Sequence, residues 1–94
     1  MEQPLLVNVT EEIVRGLVNF LLYGNDYQTF CHCEQCKLDV TAIALNALPP
    51  RYVTSPQWRD VVFNEMNTPE SLEEINKQII HAIHIVGRKP KHSK

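Results

Sequence analysis

Apolar residues recur at spacings of three and four in several stretches of this chain, and proline or glycine separates one stretch from the next, the pattern of consecutive amphipathic helices. The first stretch carries Ile13, Val14, Leu17, Val18, Leu21 and Leu22. Asn8-Val9-Thr10-Glu11 stands before it as a capping box, and Gly24-Asn25-Asp26 ends it. A second helix is predicted from Cys36 to Leu48, through Val40, Ile43, Ala44 and Ala47, and Pro49-Pro50 stops it. Ser55-Pro56 reads as an N-cap followed by proline in the first turn, opening a third helix through Trp58, Val61, Val62 and Met66. Thr68-Pro69-Glu70 repeats that signal and starts the fourth, which runs to Val86 with Gly87 as its expected C-cap. On this last helix Leu72, Ile75, Ile79, Ala82 and Val86 fall on the two inward heptad positions, and Ile83 widens the stripe. The stripe predicts either an intramolecular core or a dimer seam.

The expectation is therefore an all-α fold of four helices in one domain spanning residues 1–94, with a basic tail over 88–94. A 94-residue chain encloses a modest core, so a metal staple or dimerisation would add needed stability. The formal charge of −2 argues against a protein that wraps a nucleic-acid polymer. Arg88-Lys89-Pro90-Lys91-His92 is a short basic run of the kind that usually forms a solvated tail. No basic leader precedes an apolar run, and no stretch reaches the roughly 18 apolar residues of a membrane span, so a soluble, non-exported protein is expected.

The chemistry lies in Cys31-His32-Cys33-Glu34-Gln35-Cys36. Cys33 and Cys36 form a C-x-x-C pair, which lets two thiolates reach one ion from a tight turn, and Cys31 adds a third. Soft thiolates select zinc, and Cys36 in the first turn of a helix gains from the helix dipole as a thiolate. Three thiols within six residues suit a reducing, cytoplasmic compartment better than a disulfide framework. A thioredoxin-like redox pair would need a preceding strand and a βαβ pattern, which the sequence lacks. Cys31, Cys33 and Cys36 are thus the expected ligands of a structural Zn²⁺.

The fourth ligand has several candidates. His81 and His84 occupy outward positions of the last helix, and His32 between two ligands should point away from their ion. His92, on a tail able to fold back, is the preferred choice. No Ser-His-Asp set, phosphate loop or H-E-x-x-H motif occurs, and Glu34, the only carboxylate near the cysteines, reads as a solvent-facing first-turn residue. A non-enzymatic protein is expected.

The run from Cys31-x-Cys33-x-x-Cys36 through Asp39-Val40, Ala42-x-Ala44-Leu45-Asn46 and Pro49-Pro50-Arg51-Tyr52-Val53-Thr54 resembles the late-competence ComFB family of bacteria. The resemblance covers most of the chain and is strongest from Cys31 to Thr54. It implies an all-α homodimer with one zinc per subunit, encoded in some bacteria beside genes for DNA uptake. Family members that use a fourth, C-terminal cysteine find no counterpart here, and His92 is the nearest position after the last helix. Some relatives, notably in cyanobacteria, are described as cyclic-dinucleotide receptors. For such a role Arg51 or Arg59 would meet phosphate or stack on a base, and Tyr52 or Trp58 would offer an aromatic face. The ordinary readings are that Arg51 caps the second helix by its charge and that Trp58 is a core or interface aromatic. The competing function is a zinc-stapled module that binds another protein in competence or motility regulation.

Overall fold

The structure, a computed structural model, describes residues 5–24, 27 and 30–88. Four helices account for most of them: α1 (Val9–Leu22), α2 (Glu34–Asn46), α3 (Pro56–Met66) and α4 (Pro69–Arg88). Two short strands, β1 (Val7–Asn8) and β2 (Tyr52–Val53), pair antiparallel, with Val7 opposite Val53 and Asn8 opposite Tyr52. This ribbon is absent from the sequence expectation, because two residues carry no readable alternation.

Local chemistry sets the helix starts. Asn8 Oδ1 accepts from the Thr10 N–H at 3.2 Å and also from the Arg51 N–H at 2.9 Å. One side chain therefore caps α1 and ties it to the segment after α2. Glu11 does not close the expected capping box; it pairs with Arg15 at 2.9 Å one turn on. Ser55 Oγ accepts from the Trp58 N–H, and Thr68 Oγ1 from the Ser71 N–H, each with proline at the first helical position. The second helix begins two residues earlier than expected and ends at Asn46.

The heptad stripe of α4 is spent within its own chain. Ile75, Ile79, Ala82, Ile83 and Val86 are buried with Val9, Val14, Val18 and Leu22 of α1 and with Cys36, Val40 and Ala44 of α2. Leu72 is only half-buried at the edge of this core. Helix α4 packs chiefly on α2, and α2 in turn on α1, while α3 covers one end beside β2. Thr10 and Thr41 are the buried polar residues among those described; the Thr10 Oγ1 donates to the Pro49 carbonyl at 3.0 Å and the Thr41 Oγ1 to the Lys37 carbonyl at 2.8 Å.

Gly87 is not a left-handed cap. No described residue has a positive φ, and α4 continues through Gly87 to Arg88. The glycine instead lies against the Phe30 ring, 3.5 Å from where a Cβ would stand. None of the helices is long and apolar enough to cross a membrane among the described residues.

Candidate metal centre

The turn before α2 gathers the three cysteines. Cys33 is the N-cap of α2, in extended conformation, and its Sγ accepts from the Cys36 N–H at 3.4 Å. That contact replaces the usual oxygen cap with sulfur and aims the start of the helix at the thiol group. Cys36, one turn in, is 1% exposed and belongs to the core. Cys31 is half-buried and packs against that core, whereas Cys33 opens to solvent. The cluster thus sits where the core meets the surface.

The three Sγ atoms lie within 4.8 Å of one another. In a tetrahedral zinc site with Zn–S bonds of about 2.3 Å, ligand sulfurs stand roughly 3.8 Å apart, so a contraction of at most about 1 Å brings this set to ligating distance. None of the three cysteines is in a disulfide. Burial, followed by the hydrogen bonds of Cys33 and Cys31, pushes the Cys36 thiol up to about 12. The nearby Cys31 and Cys33 sulfurs add to the forces that oppose a thiolate at Cys36. A divalent cation reverses that preference by supplying the counter-charge, so the donor set fits a soft metal ion.

His32 is not among the converging donors. Its ring lies tilted against Tyr23 with centroids 5.2 Å apart, and its Nε2 is covered without a hydrogen-bond partner. His81 and His84 are exposed on α4, on the outward side where the heptad puts them. His92 lies outside the described residues. Glu34 is exposed at the first turn of α2, 3.8 Å from Lys37, as an ordinary helical ion pair.

Of the four residues considered for nucleotide contacts, the two arginines have ion-pair partners that the sequence did not disclose. Arg51 pairs with Glu65 of α3 at 2.9 Å. Arg59 pairs with Glu12 of α1 at 3.0 Å and with Asp60 at 3.1 Å, and its guanidinium lies 4.8 Å from the centre of the Phe63 ring. Those bonds, Glu12 first, raise its proton affinity further. Residues 59 and 65 are six apart on α3, which places them roughly 120° apart around the axis. The two guanidiniums therefore meet different carboxylates on different sides of that helix. Tyr52 and Trp58 are 61% and 62% exposed, so Trp58 is neither a core aromatic nor covered within the chain. The signal for the Arg59–Glu12 pair was not local: the two residues are 47 apart.

Residues 7–90 match the family described as late competence development protein ComFB. The structurally characterised late competence protein ComFB from Bacillus subtilis has a similar fold, with a TM-score of 0.75 at 23% identity over 93% of this chain and 96% of that one. No curated protein matches the chain at a significant level.

Proposed function

The chain belongs to the ComFB family, and on that premise we propose that it is a non-enzymatic regulatory protein, stapled by one Zn²⁺ per subunit, which acts as a cytoplasmic homodimer by binding another protein. The observation that carries the metal part of this reading is the convergence of the Cys31, Cys33 and Cys36 sulfurs within 4.8 Å. Bound zinc supplies cross-linking, joining the loop that bears Cys31 and Cys33 to the buried Cys36 of α2. Its fourth ligand is His92. Helix α4 passes Phe30, the residue before Cys31, at Gly87, and the five residues from there to His92 can reach about 17 Å when extended.

Metal analysis of the purified protein tests this directly. One zinc per chain is expected, lost in Cys36→Ser and weakly retained in His92→Ala, with His81→Ala and His84→Ala unaffected. Zinc absent from the wild type, or retention unchanged in Cys36→Ser, refutes the proposal.

A cyclic-dinucleotide receptor is the competing reading, favoured by two arginines each next to an exposed aromatic, Arg51-Tyr52 and Trp58-Arg59. The protein-binding reading ranks above it because phosphate would have to displace Glu65 from Arg51 and Glu12 from Arg59. Calorimetric titration with cyclic di-GMP and cyclic di-AMP at about 50 µM protein, enough to register micromolar affinity, separates the two. No heat is expected; saturable heat from either nucleotide reverses the ranking.

A further inference from the structure

The three thiols differ in what can reach them. Cys33 opens to solvent, Cys31 is half-buried, and Cys36 is closed off inside the core. None of them is in a disulfide. Cys33 caps α2, and its Sγ accepts from the Cys36 N–H at 3.4 Å. The exposed sulfur is therefore held over the residue that carries the buried one. One helical turn advances the chain about 5.4 Å, inside the roughly 4.4–6.8 Å between Cα atoms that a disulfide spans. The two sulfurs lie within 4.8 Å, and rotation of the exposed Cys33 side chain closes that gap to a bond of about 2.05 Å. Cys31 is placed differently. It lies two residues before Cys33, so a bridge between those two would close over His32 alone, and its own side chain packs against the core.

We propose that Cys33 is a site of oxidation by hydrogen peroxide, and that Cys33 and Cys36 then form a reversible disulfide that releases the metal. The inference rests on the zinc reading above and adds the regulation of that site. A zinc ligand is already a thiolate, the form that attacks a peroxide. The Cys33 sulfur attacks one peroxide oxygen; the O–O bond breaks, hydroxide leaves and Cys33 becomes a sulfenic acid. The Cys36 sulfur then attacks the Cys33 sulfur, and the S–O bond breaks as the S–S bond forms, releasing a second hydroxide. Both hydroxides take protons from solvent. Two cysteine sulfurs are thus oxidised by two electrons, and one hydrogen peroxide is reduced to two waters. Zn²⁺, left with Cys31 and His92, departs. Oxidation converts a staple between the Cys31 segment and α2 into a bridge within the first turn of α2, which ties no other segment to it. A dithiol reaches that bridge from the exposed Cys33 side and reduces it, restoring the ligand set.

The test treats the purified full chain with a molar excess of hydrogen peroxide, quenches with catalase, alkylates the remaining thiols and maps them by peptide mass spectrometry, while a chromogenic chelator reads released zinc. A loss of two hydrogens per chain is expected, with a Cys33–Cys36 bridge, alkylation at Cys31 alone and one zinc freed per bridge, all reversed by dithiothreitol. Cys36→Ser removes the resolving thiol, so peroxide should leave a sulfenic acid at Cys33 that dimedone labels, with circular dichroism as the control for folding. A wild-type bridge that includes Cys31, dimedone on Cys31 rather than Cys33 in folded Cys36→Ser, or zinc freed without a bridge overturns the assignment. Thiols that survive peroxide in a zinc-loaded wild type overturn the switch and leave the zinc reading standing. A wild type purified without zinc refutes the zinc reading and the release step with it, and mass spectrometry still decides the bridge.

Discussion

Helix α2 is held by different physics along its length. Its Val40 and Ala44 lie fully buried in a core of aliphatic side chains from α1 and α4. At its N-terminus three sulfurs converge within 4.8 Å, one of their cysteines exposed and one half-buried, where the proposed zinc would supply the hold. Aliphatic packing is spread over many contacts, so one lost side chain costs a few kcal/mol and the rest persists. A metal staple is indivisible: its energy sits in one ion and disappears with it. The contrast separates what a mutation in each region should do.

Metal removal is the sharpest way to break the comparison. A structural zinc contributes on the order of 10 kcal/mol of apparent binding energy near neutral pH. A strong chelator should therefore lower the melting temperature by more than about 10 °C, with the amides of Cys36 and Lys37 losing hydrogen-exchange protection first. Unchanged melting would remove the staple from the account. Next in size is Ile79→Ala at the fully buried centre of α4. It should cost about 2–5 kcal/mol in denaturant unfolding while zinc content stays at one per chain. Loss of zinc in that variant would mean that the two regions are not independent.

A smaller effect is expected at Thr10, whose buried hydroxyl donates to the Pro49 carbonyl at the edge of the core. Thr10→Val keeps the shape and leaves that carbonyl without its donor, at a cost of about 1–3 kcal/mol by chemical denaturation. A neutral result would show that water reaches Pro49. The smallest change has the opposite sign. Gly16 sits in the exposed interior of α1 with nothing within 4 Å of where a Cβ would stand, so Gly16→Ala should stabilise by about 0.5–1 kcal/mol. Destabilisation by that variant would point to a partner surface covering this side of α1.

The helices were legible because their signals are local. Ser55-Pro56 and Thr68-Pro69 place their own oxygens on their own backbone N–H groups, and the structure keeps both caps. The cysteine turn was legible for the same reason, since Cys33 and Cys36 are one helical turn apart and cannot avoid each other. Gly87 was misread as a cap because α4 runs on through it to Arg88, alongside Phe30, 57 positions earlier, and no local rule registers that. The second duty of Asn8, accepting from Arg51 across 43 residues, was equally invisible.

By itself the sequence determined four helices, the turn that gathers three thiols and the soft-metal character of that donor set, all fixed by residues within one or two turns of each other. The tertiary structure decided the rest. It assigned the α4 stripe to the chain's own core rather than to a dimer seam, and it left a different face of the same helix open. It also gave Arg51 and Arg59 to separate carboxylates. Periodicity reports only that a helix has an apolar side; which surface meets that side, and which distant carboxylate reaches a given arginine, depends on how the helices pack in three dimensions.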